Sequence, residues 1–179
     1  MKNFYLDLHV LQNVPPSCIN RDDTGSPKTA IYGGVTRARV SSQAWKRAIR
    51  KMFLEILPQE KVGVRTKHVM GLITKELDAL GYQGDSEKAA MEALKNAGIN
   101  IKKENKTDAL FFISYEQAKK FAELILAGEG DKKIYKAALT EGPSIDIALF
   151  GRMVASDPSL NYDAAAQVAH SISTHEVRN

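Results

Sequence analysis

Cysteine is nearly absent from this chain. Cys18 stands alone among 179 residues, so no disulfide can form within it. That fits a reducing, cytoplasmic compartment. Long apolar runs are missing too; none approaches the roughly 20 residues of a membrane span. The opening MKNFYLDLHVLQNV carries Asp7 and lacks the apolar region and small-residue cleavage site of a signal peptide. The expectation is a soluble, intracellular protein with no membrane partner. Metal-ligand patterns are sparse. His9, His68, His170 and His175 are scattered, and the last pair is five apart rather than the four that aligns two ligands on one helix face. Cys18 has no CxxC partner, and no GxxxxGK[ST] or GxGxxG phosphate loop occurs. No metal, cofactor or catalytic residue is therefore expected.

One further absence is local. Between Thr24 and Leu54 there is no Asp or Glu, while Lys28, Arg37, Arg39, Lys46, Arg47, Arg50 and Lys51 all fall there. The window carries +7 against +4 for the whole chain, which leaves −3 for the remainder. A solubilising helix face normally mixes signs through pairs four residues apart. A concentrated, unpaired positive field is the footprint of a polyanion site.

What is present reads as an ordinary globular chain. Hydrophobic residues make up 44% and charged residues 26%, enough to bury a core in one domain or two small ones. Asn3 to Leu11 alternate with period two, which predicts a half-buried strand. The Pro-, Gly- and Asp-rich run from Asn13 to Gly34 predicts a long loop, with Gly33-Gly34 as a hinge. VTRARVS predicts an extended arm with Arg37 and Arg39 on one face. A helix should start at Ser41 or Ser42 and stop by Pro58. At 100° per residue it gathers Trp45, Ile49, Met52, Phe53 and Ile56 on a buried side, and Gln43, Lys46, Arg47 and Arg50 on an exposed one.

Helices are also predicted over KHVMGLITKELDALG, whose apolar spacing stops at Gly81, over DSEKAAMEALKNAG, with an Asp or Ser start and a Gly stop, over YEQAKKFAELILAG, which runs to Gly128, and over DKKIYKAALTEG. Ser114 and Gln117 have capping-box spacing. ALFFIS and SIDIALFGR read as strands, NYDAAAQVAHSIS as an Ala-rich helix, and THEV as the start of another strand. Phe111, Phe112 and Phe150 read as core, so base-stacking platforms are not evident. Met153, at the end of Phe-Gly-Arg-Met, can present an apolar wedge at a loop. Asp22 and Asp23 can hold Mg²⁺ at a phosphate, or equally cap a turn or pair with Arg21. On residues alone the chain reads as a binder of phosphate backbone.

LHVLQNVPPSCINRDDTGSPKTAIYGG followed by RARVSSQAWKRAIR resembles the N-terminal signature of the CasC-type backbone subunit of type I-E CRISPR Cascade complexes. DIALFGRM and AAAQVAHSISTHEV resemble a second block of that family, and the stretch from about Pro58 to Leu139 resembles it less. The resemblance implies an α+β fold, with a ferredoxin-like, RRM-related palm incomplete here and a mostly helical fingers insertion. Residues 1–58 would be the palm portion and 59–179 the fingers region. The thumb and the rest of the palm would lie beyond Asn179, in a chain about twice as long.

The implied function is non-enzymatic. Copies of the subunit would line the backbone of a CRISPR RNA, beside other Cascade subunits, while bases pair with target DNA for antiviral defence. The implied RNA-binding residues are Asn20 and Arg21 of the NRDD loop, Lys28, Ser41, Ser42, Gln43, Lys46 and Arg50 of the helix start, and Met153 near a kinked nucleotide. Two alternatives stay open. Related type III backbone subunits cut RNA with a loop aspartate, which would make Asp22 or Asp23 part of a metal-dependent ribonuclease. Otherwise the basic face meets an acidic protein partner.

Overall fold

The computed structural model describes residues 4–102 and 105–178. It is α+β, with six helices and five short strands among the described residues. The chain divides into two units: residues up to Trp45 together with those from Ala169, and Lys46–Val168. No helix among the described residues is long and apolar enough to cross a membrane.

The first unit is built on a hairpin. β1 (Thr29–Tyr32) and β2 (Val35–Val40) pair antiparallel, Thr29 opposite Ala38 and Tyr32 opposite Val35. Part of the expected long loop is therefore strand. Gly33 and Gly34 are its two-residue tip rather than a hinge. Both have positive φ, 65° and 78°, as the favoured hairpin turns require. On the other edge of β2, β5 (Ser171–Ile172) pairs with Arg39 and Val40.

Two expectations fail along these stretches. Phe4–Leu11 keeps its alternation but forms no strand, and Asn3 lies outside the described residues. No strand among the described residues runs beside it, and Phe4 and Leu8 are 95% and 79% exposed. A strand exists only through its neighbour's hydrogen bonds, so a period of two without a partner is not enough. The Ala-rich helix over Asn161–Ser173 is also absent; its end is β5.

α1 (Ser42–Ile56) begins in the first unit and continues into the second. In the second unit, β3 (Val64–Thr66) and β4 (Phe111–Ile113) form an antiparallel pair. α2 (Val69–Ala79), α3 (Ser86–Asn96), α4 (Tyr115–Leu126) and α5 (Lys132–Thr140) pack around one core. Phe121, Ile73, Leu77, Leu94, Ile113 and Leu139 are fully buried in it. Each such side chain contributes about 1.5–3 kcal/mol of transfer free energy.

The Asp85 and Ser114 caps are those the sequence predicts; the Asp131 cap is an addition, and α2 starts at His68 with no side-chain cap bond. Asp85 accepts from the Lys88 N–H, and Asp131 from the Lys133 N–H. Ser114 and Gln117 form a reciprocal capping box at α4. Gln117 is itself buried, and its amide donates to the Leu139 and Glu141 carbonyls, tying α4 to the end of α5.

Ile145–Phe150 is a six-residue helix, α6, not a strand. Three alternating residues, Ile145, Asp146 and Ile147, cannot separate the two periods. Asp146 and Ile147 both point inward here, as adjacent residues on a strand would not. The Asp146 carboxylate accepts from the Gly63 N–H and the Ser144 hydroxyl. Downstream, the Ala165 and Ala166 N–H groups donate to the Ala148 and Leu149 carbonyls, and Tyr162 bridges to Arg152. Those backbone donors are spent on long-range pairing, which overrides alanine's helix propensity.

Candidate nucleic-acid interface

In the first unit the NRDD loop folds back on the start of α1. The Asn20 side-chain oxygen accepts the Ser41 N–H at 2.9 Å, and the Asn20 carbonyl accepts the Lys28 N–H at 2.9 Å. The Lys28 carbonyl then accepts the Arg39 N–H, which fixes the loop to β2. Asn20, Lys28 and Ser41 are thus brought together.

Ser41 is buried, and its hydroxyl accepts the Ala44 N–H, the helix-capping bond. Ser42 is half-buried and Gln43 exposed on the first turn. Trp45 is half-buried, and its indole N–H donates to the Ser171 hydroxyl at 2.7 Å.

Arg21 is exposed and donates to the Gly25 carbonyl at 2.6 Å. Asp22 caps its own turn. One carboxylate oxygen accepts from the Thr24 N–H, the Thr24 hydroxyl and the Ser26 N–H. The Thr24 hydroxyl foremost holds the Asp22 carboxyl below its usual range. Asp23 is exposed. Among the described residues no three of His, Cys, Asp and Glu gather as a metal site would need. Arg37 differs from the helix cations. It donates to the Tyr32 and Ser173 carbonyls, both at 3.0 Å, so its guanidinium fastens the hairpin to the C-terminal segment. Arg39, like Arg50, has a buried Nε with no hydrogen-bond partner among the described residues.

In the second unit the continuing turns of α1 lie on aromatic rings. Phe53 stacks on Phe150 with centroids 6.3 Å apart. Lys46 Nζ lies 5.8 Å from the Phe150 ring, and the Arg50 guanidinium carbon lies 4.9 Å from Phe150 and 5.5 Å from Phe112. This revises the expected division of the helix into faces. Lys46 and Arg50 are half-buried against the rings, while Met52 and Ile56, expected to be buried, are 57% and 65% exposed. No α1 residue is fully buried. Phe112 is core as expected; Phe150 is only half-buried.

Among the described residues neither Lys46 nor Arg50 makes an ion pair. Burial foremost lowers the Arg50 pKa, and the nearby Arg65 adds to this, against the attraction of Asp146. Arg65, on β3, sits 6.0 Å from Phe112.

Met153 is 84% exposed, as a wedge at a loop would be. Its neighbour Arg152 does the opposite, which its place in the sequence does not announce. Arg152 is 5% exposed and donates to the Leu160, Phe112 and Leu139 carbonyls and to the Gln117 side chain. Burial lowers its pKa to about 10, so it stays cationic at neutral pH. Only the Gly-Arg that follows an apolar run hinted at this tie.

The fold can be set beside known proteins. A chain of a solved "CRISPR RNA-guided surveillance complex" is similar over 91% of this chain, with 29% identity and a TM-score of 0.65. A second, "CRISPR RNA-guided surveillance complex, pre-nicking", is similar over 89%, with 28% identity and a TM-score of 0.58. The present chain covers 56% and 50% of those two chains, about half of their length. A search of the curated proteins found no significant match. The family described as CT1975-like protein has a model that matches residues 6–179, and the chain belongs to that family.

Proposed function

We propose that this chain is a non-enzymatic scaffold that holds the sugar-phosphate backbone of a CRISPR RNA, as a CasC-type subunit of a type I-E Cascade complex. One observation carries the reading. The acid-free tract keeps its helix cations unneutralised, because Lys46 and Arg50 lie on phenyl rings and, among the described residues, pair with no carboxylate. Charge left unpaired at some cost in self-repulsion fits a polyanion ligand. Membership of the CT1975-like family and similarity to chains of CRISPR RNA-guided surveillance complexes support the identity of that polyanion.

In this reading Asn20, Arg21, Lys28, Ser41, Ser42 and Gln43 act in the first unit, and Lys46, Arg50 and Met153 in the second. Asn20 and Ser41 also order the start of α1, the Asn20 side-chain oxygen accepting the Ser41 N–H and the Ser41 hydroxyl accepting the Ala44 N–H, which leaves the Asn20 amide and the Ser41 hydroxyl proton as donors. Residues 1–58, with the basic helix, belong to the ferredoxin-like palm and residues 59–179 to the mostly helical fingers region. Neighbouring copies, other Cascade subunits and target DNA paired to the guide are the further partners. Asp22 is a poor metal ligand here, with one carboxylate oxygen accepting three hydrogen bonds from its own turn. The reading expects RNA incubated with Mg²⁺ to stay intact; cleavage lost in Asp22→Asn or Asp23→Asn would overturn it.

The test is RNA affinity as a function of salt. Each phosphate contact on a single strand contributes about 0.7 to the slope of log K against log salt. Lys46→Ala with Arg50→Ala should lower that slope by about 1.4. An unchanged slope and affinity in a folded double variant would sink the phosphate-grip assignment.

A further inference from the structure

The rings that hold Lys46 and Arg50 hold a third cation. β3 pairs with β4 so that Arg65 stands opposite Phe112, and cross-strand partners share one face of the pair. The Arg65 guanidinium carbon accordingly lies 6.0 Å from the Phe112 centroid, and that of Arg50 lies 5.5 Å from the same point. The two guanidinium carbons are thus at most about 11.5 Å apart, within the reach of adjacent phosphates of one strand. The strand is held in this place by a close packing. A side chain at Gly63 would meet Phe112 at 2.7 Å and the Ser144 hydroxyl at 2.6 Å, and the Gly63 N–H is fixed by Asp146.

Arg65 is exposed, and none of Lys46, Arg50 and Arg65 has a carboxylate within ion-pair distance among the described residues. Asp146, the acid nearest in effect to Arg50, is buried, and its Oδ1 accepts from Gly63 and Ser144. Three like charges gathered on two rings repel one another in the free protein, and an anion relieves that repulsion.

We propose that Arg65 is a phosphate-binding residue that completes, with Lys46 and Arg50, one anion site on the Phe112–Phe150 pair. This rests on the RNA-scaffold reading and adds to it a residue that neither the charge count nor the family resemblance singles out. The site takes backbone phosphate and not bases. Phe112 is buried, and Phe150 already stacks with Phe53 and lies beneath two cations, so a nucleobase finds no open ring there.

The experiment is a salt titration of binding to labelled single-stranded oligo(U) and oligo(A) by fluorescence anisotropy, with the thermal midpoint of each variant measured alongside. Arg65→Gln should lower the slope by about 0.7 for both oligonucleotides. Arg65→Lys should restore it, since charge is what the site supplies. Lys133→Gln, on the exposed start of α5, should leave the slope alone. If wild-type protein binds RNA and Arg65→Gln keeps the full slope, the role of Arg65 is wrong while the scaffold reading stands. A loss that Arg65→Lys does not restore, accompanied by a lowered thermal midpoint, would make Arg65 a packing residue and overturn the proposal. If the wild type does not bind RNA, both readings fall.

Discussion

Replacing Arg152 with Met tests the tie that anchors the loop carrying Met153. The guanidinium donates twice to the Leu160 carbonyl, at 3.1 and 2.9 Å, and once each to Leu139 and Phe112, at 2.6 and 3.2 Å. Methionine fills much of the space but donates nothing. The Leu139 carbonyl keeps a bond from Gln117, whereas Leu160 is fully buried and its carbonyl loses both side-chain donors. A buried carbonyl left without a partner costs about 1–3 kcal/mol. Loss of the guanidinium from the Phe111 ring, 5.2 Å away, adds about 1 kcal/mol. Freeing a buried cation from its desolvation offsets part of the bonds to Leu139 and Phe112. The net expectation is about 3 kcal/mol, a large share of the 5–15 kcal/mol of a typical domain. With a urea slope of about 1.5–3 kcal/mol per molar, the midpoint followed by far-ultraviolet circular dichroism should fall by about 1–2 M. Arg152→Lys should recover less than half, because one ammonium cannot span acceptors that the planar fork reaches together. Arg47→Met, at an exposed position, should change the stability by less than about 0.5 kcal/mol. A loss below about 1 kcal/mol for Arg152→Met would refute the assignment of Arg152 as the tie.

The remaining predictions concern acid and the hairpin. The Lys136 ammonium foremost, with Ser159, lowers the Asp157 carboxyl from 3.8 to about 2. A depressed native pKa means stability that is present above the ordinary value and lost as pH falls through the native one. The thermal midpoint of Asp157→Asn should therefore lie below that of wild type at neutral pH, and the gap should close between about pH 4 and 2; a gap that persists at pH 2 contradicts the ion pair. At the hairpin tip, a side chain at Gly34 would meet nothing within 4 Å, so the cost of Gly34→Ala is backbone alone, about 1–2 kcal/mol for a left-handed residue. Gly34→Asn should cost less, and hydrogen exchange of the β1–β2 amides measures both; equal losses would remove the left-handed turn from the explanation.

Legibility tracked how local each signal is. Asp85, Ser114 and Asp131 cap α3, α4 and α5 through atoms two or three residues away, and Gly81, Gly98 and Gly128 follow α2, α3 and α4 with positive φ. Such signals lie within one stretch of sequence, and with apolar periodicity they make α2 to α5 readable. The short elements were not. Whether Ile145–Phe150 coils is decided by Gly63 and Ser144, which hold Asp146 inward. Whether Asn161–Val168 coils is decided by carbonyls of Ala148 and Leu149. The same limit applies to the cations. Angular placement puts Lys46 and Arg50 together on α1, but only the partner rings reveal that this side leans on protein. Arg65 lies outside the acid-free window, and only strand register brings it to Phe112.

The rings also explain how Lys46 and Arg50 do without acids. A long cationic side chain that is to meet a phosphate must be ordered beforehand, or binding spends about 2 kcal/mol of rotamer freedom for each one. A carboxylate would order it but cancel its charge, and the phosphate would then have to displace that partner. A phenyl face orders it through the ring quadrupole, for about 0.5–2 kcal/mol, and leaves the net charge untouched. Lys46, Arg50 and Arg65 all rest on Phe150 or Phe112, and α6, which ends in Phe150, is secured through Asp146 to the glycine that precedes β3. Under the proposed reading, the phenylalanines that sequence alone assigns to the core serve the interface from beneath: they hold the charges in place and leave the sequence of the guide to base pairing.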